Sequence, residues 1–484
     1  MELSVAEIAR ATGGTVVADG GADALVRGMT WDSRCVQPGC LYVALPGERV
    51  DGHDFAAAAA RAGAACALVT HRVDAPCAQV EVRDTVEALA RLAGAWRDRL
   101  EGTVLGLTGS TGKTSTKALV RDVLAAAGSV RATEANQNNE IGAPRTLLGA
   151  DADTAYTVVE MGMRGSGQIT ALCAFSRPDW GLVTNVGESH MELLGSQDNI
   201  VKAKAELYRA LPAGGIAFVN GADPHAAGLC REGGLADGPA TIVYFSGAGP
   251  VPAGAGLPRA AGAPAVWAEE AHLDGAGRPS FRLCARGFAA LGNGGADGCA
   301  PCRLQVRGLH NVSNACAAAA VGLAAGLSLD ACIAALEASR PEGGRQEFLA
   351  CACGAVLMND AYNASPDSMR AALATLAALD VPGRRVAVLG DMGELGPVAA
   401  DAHRQVGREA AAARVDLLLC VGELAGLIAE GARAAGMDAG AVQQPASLQE
   451  ALELLVRELG PDDAVLVKAS HFMGFEKLVE GLVD

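Results

Sequence analysis

The hexapeptide GSTGKT at residues 109–114 constrains this chain more than any other feature. It follows an apolar run at residues 103–107 and precedes residues 114–127, whose apolar positions recur at helical spacing. Glycines let consecutive backbone N–H groups curl around a phosphate, and the following helix N-terminus adds partial positive charge. The first glycine of the usual longer motif would fall at Leu107 and is missing. The flanking strand and helix nevertheless favour a nucleotide-binding loop over a chance match.

Short apolar runs alternate with helical patterns on both sides of this loop. Runs such as YTVVE, WGLVTNV and GIAFVNG follow it, and AVLMNDAY, RRVAVLGDM, DLLLCVG and AVLVKAS lie near the end of the chain. Runs of this kind are typical of parallel strands covered by helices on both faces. We therefore predict an α/β fold with three domains: a small N-terminal α/β domain at 1–84, a central P-loop parallel-sheet domain at 85–338, and a C-terminal Rossmann-like domain at 339–484.

Residues 247–300 are rich in Gly, Ala and Pro. A flexible linker is one interpretation of this composition. However, the segments PAVWAEEAHLD, PSFRLCA and CRLQVRG alternate apolar and polar residues as strands do. We therefore predict an antiparallel appendage with loose turns.

Charge and cysteine usage narrow the class of protein. The net charge of −16 argues against nucleic-acid binding, which needs a basic surface. The N-terminus lacks a basic region followed by an apolar stretch, and no run reaches the about 18 apolar residues of a membrane helix. The 14 cysteines are scattered, which favours reduced thiols over disulfides or a metal site. We therefore expect a cytoplasmic enzyme without a membrane span.

A carboxylate, a histidine and one of two lysines downstream of the loop are candidates for chemistry. Glu160 ends the run YTVVE, where a carboxylate beside the P-loop strand could bind Mg²⁺ or could simply be a solvated strand-end acid. His190 follows the run WGLVTNV on the same predicted edge of the sheet, although a lone histidine is more often structural. Lys202 and Lys204 lie two residues apart on a predicted helix and so point to different sides. The residues themselves do not decide which lysine is functional.

Several motifs together resemble the Mur ligase family. The segments GSTGKTS, VVEMG, TNVGESHMELLGS with KAKAEL, and GLHNVSNACAAAA look like its ATP-binding domain. The segments DSRCVQPGCLYVALPGERVDGHDF, NQNNEIGAPRTLL, NDAYNASPDSMRAAL and LGDMGELG look like the MurF type of that family. These motifs follow one another in order over nearly the whole chain.

The resemblance implies an ADP-forming ligase of peptidoglycan synthesis. The carboxylate of UDP-MurNAc-tripeptide would attack ATP to give an acyl phosphate, and the amine of D-alanyl-D-alanine would then displace phosphate. ATP and two Mg²⁺ ions are the implied cofactors, and the enzyme is expected to be a monomer. Cations are needed because the attacking carboxylate and the γ-phosphate repel each other.

The resemblance also implies residue roles. Lys113, Glu160, His190 and Lys204 would be catalytic, and Thr114, Glu160, His190 and Lys204 would bind metal. The family's lysine at the Lys204 position is carbamylated, which favours Lys204 over Lys202. The implied ATP-binding residues are Gly109, Ser110, Thr111, Gly112, Lys113, Thr114, Ser115, Asn311, Asn314, Arg345 and Asp360. The implied substrate-binding residues are Ser33, Arg34, Gly52, His53, Asp54, Phe55, Asn138 and Asn139.

Some of these residues also have structural interpretations. Asn314 could bond locally, Asp360 could begin an Asx turn, and Asp32 could serve turn chemistry. The family's LVKGSR is replaced here by LVKASHFMGFE, with Ala469 and His471.

Related activities are the alternatives. One is the tripeptide-forming ligase, but the DNPR string that its third domain usually carries is absent from this sequence. Another is folylpolyglutamate synthetase, which lacks a leading domain of the kind found here. The third is a P-loop kinase or ATPase.

Overall fold

The computed structural model describes residues 1–17, 21–47, 50–254, 256–292, 297–341 and 346–483. Three large sheets follow one another along the chain, each covered by helices. This agrees with the predicted α/β class. Arg345, predicted to bind ATP, lies outside the described residues.

The N-terminal region forms a five-stranded sheet in the order β2-β7-β6-β5-β4, together with a small β1-β3 ladder. Strands β4 to β7 are parallel neighbours, and β2 is antiparallel to β7. Helix α1 begins at a capping box, in which Ser4 and Glu7 satisfy each other's backbone N–H groups, and it ends at left-handed Gly13. The elements are β1 (Glu2–Ser4), α1 (Val5–Thr12), β2 (Thr15–Val16), β3 (Leu25–Arg27), β4 (Met29–Thr30), β5 (Leu41–Val43), α2 (Ala56–Arg61), β6 (Cys66–Val69), β7 (Ala78–Glu81) and α3 (Thr85–Arg97).

The middle region forms a nine-stranded sheet in the order β16-β15-β14-β13-β12-β11-β8-β10-β9. Its elements are β8 (Thr103–Thr108), α4 (Lys113–Leu124), β9 (Val130–Ala132), α5 (Gly142–Leu148), β10 (Tyr156–Glu160), α6 (Gln168–Ser176), β11 (Trp180–Val183), α7 (Met191–Leu194), α8 (Gln197–Arg209), β12 (Ile216–Asn220), α9 (Ala226–Glu232), β13 (Thr241–Ser246), β14 (Ala265–Leu273), β15 (Pro279–Arg286), β16 (Gly298–Arg303), α10 (His310–Ala324) and α11 (Leu329–Ala338). Strands β8 to β14 pair in parallel, whereas β14, β15 and β16 pair antiparallel. The predicted antiparallel appendage is therefore present, and it extends one edge of the central sheet.

Small side chains allow close packing beside the P-loop strand. The run Ala317–Ala320 of α10 is completely buried, and α10 packs against α4. Gly322 of α10 faces Val123 of α4 so closely that an added Cβ would lie 2.4 Å from a valine methyl group. Helix α4, which begins at the phosphate loop, is thereby fixed on the sheet.

The C-terminal region forms a six-stranded sheet in the order β17-β18-β22-β19-β20-β21. All its strand pairs are parallel except β17 with β18. Helix α12 is capped by Ser365 through a capping box and has proline in its first turn, where proline is well tolerated. The elements are β17 (Glu347–Ala350), β18 (Val356–Asn359), α12 (Pro366–Ala377), β19 (Arg385–Gly390), α13 (Ala399–Ala412), β20 (Leu417–Val421), α14 (Ala425–Ala434), β21 (Val442–Gln443), α15 (Leu448–Glu458), β22 (Ala464–Lys468) and α16 (Glu476–Val483).

One cysteine pair differs from the expectation of reduced thiols. Cys284 of β15 lies directly opposite Cys299 of β16, and the two form a disulfide. The sequence could not show this pairing because the two residues are brought together by strand register. The other twelve cysteines are free thiols. None of the described helices combines the length and the hydropathy needed to cross a bilayer.

Candidate active site

The phosphate loop joins the end of β8 to the start of α4. Gly109 and Gly112 both have positive φ angles, of 155° and 74°. A Cβ at Gly109 would lie 1.8 Å from the Thr184 hydroxyl oxygen, so only glycine fits. The Lys113 ammonium donates to the Gly109 carbonyl at 2.8 Å and to the Ser110 carbonyl at 3.3 Å. The lysine therefore curls over its own loop, beside the N–H groups at the start of α4.

The neighbouring strand β11 holds the loop in shape. The Asn185 side chain accepts from the Thr111 N–H at 3.0 Å, and its carbonyl accepts from the Ser110 N–H at 3.0 Å. The Thr184 hydroxyl donates to the Thr111 carbonyl at 2.7 Å. The sequence reasoning missed Asn185, although its position at the end of the predicted strand was a usable signal.

Glu160 lies at the end of β10, next to the P-loop strand, and is 1% exposed. Its Oε1 lies 3.4 Å from the Thr114 hydroxyl and accepts from the Asn138 side-chain amide at 2.9 Å. Its Oε2 is buried and has no hydrogen-bond partner among the described residues, although the Lys117 ammonium lies 3.3 Å away. A buried carboxylate and a hydroxyl side by side are the oxygen donors that Mg²⁺ prefers, so these residues fit the ion.

His190 follows β11 and is held by a residue of the C-terminal region. Its Nδ1 lies 2.5 Å from Oε2 of Glu394. Burial lowers the pKa of His190, and the positive charges of Lys113 and Lys204 lower it further, against the raising effect of Glu394. Both lysine charges are therefore close enough to act on the His190 imidazole.

Lys204 lies on α8 and is 1% exposed, whereas Lys202 is exposed. Burial lowers the pKa of Lys204 well below its usual value, and the charge of Lys113 acts in the same direction. Asp223 opposes this effect. A buried amine with a lowered pKa spends more time uncharged, and the uncharged form is the nucleophilic one.

Asn311 and Asn314 begin helix α10 at the far side of the loop. The Asn314 amide donates to Asn311 Oδ1 at 2.9 Å, and an added Cβ at Gly112 would lie 3.0 Å from Asn314 Oδ1. Burial lowers the pKa of the neighbouring His310 to about 4, so its imidazole is neutral at pH 7. This pair of asparagines offers amide donors and acceptors next to the phosphate loop.

Asp360 faces the loop from the C-terminal region, at the end of β18. Its Oδ2 accepts from the Lys468 ammonium at 2.6 Å, and its Oδ1 accepts from the Gln346 N–H at 3.2 Å. Lys468 is 2% exposed and also donates to the Asn363 carbonyl at 2.8 Å. The carboxylate of Asp360 is therefore fixed by a buried ion pair, and Lys468 is a site residue that the sequence reasoning did not select.

Most of these residues line one cleft of about 1270 Å³ between the middle and C-terminal regions. Asn138 and Asn139 also line it, and Asn139 Oδ1 accepts from the Gly142 N–H at the start of α5. Lys204 and Gly109 do not line it. The predicted residues on its surface are Ser110, Thr111, Gly112, Lys113, Thr114, Ser115, Asn138, Asn139, Glu160, His190, Asn311, Asn314 and Asp360.

The predicted N-terminal substrate residues do not line this cleft. Ser33 and Arg34 lie on one 3₁₀ turn, where exposed Arg34 forms a bidentate pair with Asp32 at 2.9 and 2.7 Å. A second 3₁₀ turn contains His53, whose Nδ1 lies 2.6 Å from Asp51 and whose Nε2 accepts from the Thr70 N–H at 2.9 Å. Gly52, Asp54 and Phe55 share that second turn, and the last two are exposed.

Comparison with known protein families places these features in one class. The chain matches the family described as "Mur ligase middle domain" over residues 107–247 and "Mur ligase, glutamate ligase domain" over residues 344–471. Residues 25–97 match "Mur ligase family, catalytic domain". This chain belongs to the Mur ligase family.

Curated relatives of this Mur ligase match it over its whole length. A Mycobacterium tuberculosis protein named UDP-N-acetylmuramoyl-tripeptide--D-alanyl-D-alanine ligase is 38% identical, covering 100% of this chain and 98% of that protein. A protein of the same name from Escherichia coli is 35% identical over 96% of this chain and 95% of its own length. The resemblance predicted from the motifs is confirmed.

Solved structures agree with the three-domain fold of this Mur ligase. MurF from Acinetobacter baumannii matches with a TM-score of 0.83 and 30% identity, covering 100% of this chain and 99% of that chain. MurF ligase from Thermotoga maritima in complex with ADP matches with a TM-score of 0.75 and 25% identity, covering 94% and 97%. ATP binding and the α/β three-domain class are thus supported beyond the P-loop itself.

Proposed function

We propose that this chain is an ATP-dependent ligase that joins D-alanyl-D-alanine to UDP-N-acetylmuramoyl-tripeptide, a step of peptidoglycan synthesis. One observation carries the proposal: a P-loop and a buried carboxylate face the C-terminal domain across a single cleft, in a chain whose full-length relatives bear this ligase's name. ADP bound to a structural relative supports ATP as the energy source.

The first chemical step forms an acyl phosphate. A carboxylate oxygen of the tripeptide attacks the γ-phosphorus of ATP, and the bond to the leaving ADP oxygen breaks. Both reactants are anionic, so they repel each other unless positive groups surround them. Lys113 and the N–H groups at the start of α4 supply such groups in a fixed arrangement, which lowers the barrier without reorganisation.

The second step forms the amide bond. The free amine of D-alanyl-D-alanine attacks the acyl carbon, and phosphate leaves with the electron pair of the acyl–oxygen bond. Water would hydrolyse the acyl phosphate, so the cleft between the middle and C-terminal domains serves to exclude it. Asn138 and Asn139 line this cleft, and they would bind the peptide end of the substrate.

Two Mg²⁺ sites are part of the proposal. Thr114 and Glu160 would hold one ion, and His190 and Lys204 would hold the other. Bound Mg²⁺ neutralises phosphate charge and polarises the phosphoryl oxygens. For the first ion the chain supplies the Thr114 hydroxyl and the Glu160 carboxylate, which lie 3.4 Å apart. For the second ion it supplies His190, whose Nδ1 is hydrogen-bonded to Glu394.

Carbamylation of Lys204 is proposed from its surroundings. An uncharged amine can add to CO₂, giving a carbamate anion and releasing one proton. The burial of Lys204 and the nearby charge of Lys113 both favour the uncharged amine. The protonated Lys204 amine repels Lys113, whereas the carbamate anion would attract it. The carbamate would also provide an oxygen ligand for the ion.

The remaining assignments follow the same framework. Asn311, Asn314 and Asp360 would contact the adenosine side of ATP, with Arg345 reaching the phosphates. The two 3₁₀ turns, Ser33–Cys35 and Gly52–Phe55, would bind the UDP end of the substrate. We propose domain bounds of 1–84, 85–338 and 339–484, a monomer, and a cytoplasmic location, where ATP is supplied.

A two-substrate assay tests the function. ADP release should need UDP-MurNAc-tripeptide and D-alanyl-D-alanine together, with one amide product formed per ADP. ADP release with a single substrate would instead indicate a kinase or an ATPase. Coupling of a free amino acid to UDP-MurNAc-dipeptide would indicate the tripeptide-forming ligase.

A further inference from the structure

A loop of the C-terminal domain reaches across the cleft and contacts the His190 turn. Residues 391–396 form this docking loop, between β19 and α13. Its residue Glu394 places Oε2 2.5 Å from His190 Nδ1 and Oε1 3.6 Å from the Arg164 guanidinium. The two partners Glu394 and His190 are 204 positions apart in the chain. This contact therefore exists only while the two domains are packed together.

The backbone on both sides is shaped for this contact. His190 and Glu394 both have left-handed φ angles, of 66° and 61°, which are costly for residues other than glycine. The Glu192 N–H also donates to the Glu394 carbonyl at 3.2 Å. Strained residues of this kind persist where the surrounding structure fixes them, and they cluster at functional sites.

The docking loop is also held rigidly within its own domain. The Met392 N–H donates to His403 Nε2 at 2.9 Å, and the Gly393 N–H donates to the Ser470 hydroxyl at 2.9 Å. Asp391 accepts from the Ala425 N–H at the start of α14 at 2.7 Å. Glu394 is therefore presented by a fixed support.

The chemistry of the contact determines which nitrogen of the His190 ring carries the proton. A carboxylate can only accept, so the proton of a neutral His190 ring lies on Nδ1, facing Glu394. Nε2 makes no hydrogen bond to any residue that the structure describes, and in this tautomer it carries a free lone pair. Metal-binding histidines are typically oriented by a carboxylate on the opposite ring nitrogen in this way.

We propose that Glu394 is a positioning residue that fixes the ring and tautomer of His190, so that the second ion site is complete only when the C-terminal domain is docked. The proposal rests on the proposed ligase function and adds a link between domain packing and ion binding. Glu394 itself touches neither substrate nor ion.

The experiment counts Mn²⁺ ions bound by the full-length protein with saturating ADP, by electron paramagnetic resonance, so that no turnover is needed. Wild-type protein should bind two ions. In Glu394→Ala the second dissociation constant should rise about 10- to 100-fold, the usual loss on removing a carboxylate behind a metal-binding histidine. The first constant should stay unchanged. Glu394→Gln, which keeps an acceptor oxygen, should lie near the lower end of that range.

Glu423→Ala is the matched control, because Glu423 is an exposed carboxylate of the same domain that does not line the cleft. It should bind both ions as wild type does. Nitrogen-15 spectra of the histidine rings should show His190 protonated on Nδ1 in wild type and a mixture of tautomers in Glu394→Gln. This measurement does not require the alanine variant to fold.

The proposal is overturned if wild type binds a single ion, if Glu394→Ala leaves the second constant unchanged, or if both constants weaken equally. An Nε2-protonated His190 in wild type would also contradict it. Failure of the ligase function is a separate result: wild type would then release no ADP with both substrates present, whatever its ion binding.

Discussion

The two walls of the cleft are built in different ways. In the phosphate loop of the middle-domain wall, Lys113 bonds to a carbonyl only four residues away. The C-terminal wall depends on distant partners, since Lys468 and Asp360 are 108 positions apart and Glu394 meets His190 across 204 positions. The lysine of the phosphate loop is thus positioned by a contact that is local in the chain, whereas the charged groups of the C-terminal wall are positioned by tertiary packing. We expect mutations in the first to affect chemistry and mutations in the second to affect stability and closure as well.

The largest effect is expected from breaking the buried ion pair of the C-terminal wall. Lys468→Met would leave the buried Asp360 carboxylate without its ammonium partner, which typically costs about 3–5 kcal/mol. Urea unfolding should show this loss in the C-terminal domain. Lys477→Met, at an exposed lysine of the same domain, is the control and should unfold as wild type does. Equal stability of both variants would contradict the contrast between the walls.

The corresponding change in the middle wall should leave stability nearly intact. Lys113→Met removes a cation from the phosphate loop, and kcat should fall roughly 100- to 1,000-fold, as when one preorganised transition-state donor is lost. Single-turnover ADP formation measures the effect. If Lys113→Met lost as much thermal stability as Lys468→Met, or if its kcat fell less than tenfold, the expected contrast between the two walls would be contradicted.

Substitution of the buried Lys204 tests its proposed role as a carbamylated metal ligand in the middle domain. Lys204→Ala should lower activity roughly 100-fold, since one metal ligand is lost, whereas Lys202→Ala should retain wild-type activity. Carbon-13 spectra recorded with labelled bicarbonate should show a carbamate signal in wild type and in Lys202→Ala. The same signal in Lys204→Ala would place the modification on another residue.

The smallest effect is expected at the N-terminal turn. Arg34 is exposed and pairs with Asp32 on the surface, so Arg34→Ala should leave the melting temperature unchanged. If Arg34 binds the UDP end, KM for the UDP substrate should rise roughly 2- to 10-fold, the value of one hydrogen bond, with kcat unchanged. Arg27→Ala, which removes another exposed paired arginine, should change neither constant. A changed kcat in Arg34→Ala would mean that this turn acts on the chemistry rather than on substrate binding.

The sequence was most informative where structure is local. The P-loop, Glu160 and His190 could be predicted because each follows an apolar strand, and parallel strands end at one edge of a sheet. The three-domain α/β class was predicted from the alternation of short apolar runs with helical patterns along the chain.

Other residues could not be predicted because their partners come from distant segments. Glu394 acquires its role through a contact between loops far apart in the chain, and nothing in its neighbouring residues marks it. Lys468 ends the apolar strand β22, as Glu160 ends β10, but its pairing with Asp360 across 108 positions could not be predicted from that position. Lys117 is intermediate: it lies four residues after Lys113 on α4, so helical spacing alone could have placed it near Glu160. The Cys284–Cys299 disulfide depends on strand register, which the sequence left open.

The most direct test of the ligase function is the dependence of ADP release on both substrates. Purified protein with ATP and Mg²⁺ should release ADP, and form an equal amount of the UDP-MurNAc-pentapeptide product, only when UDP-MurNAc-tripeptide and D-alanyl-D-alanine are both present. Release of ADP at the same rate with either substrate omitted, or with no amide product, would contradict the proposal that this cleft couples ATP hydrolysis to amide-bond formation.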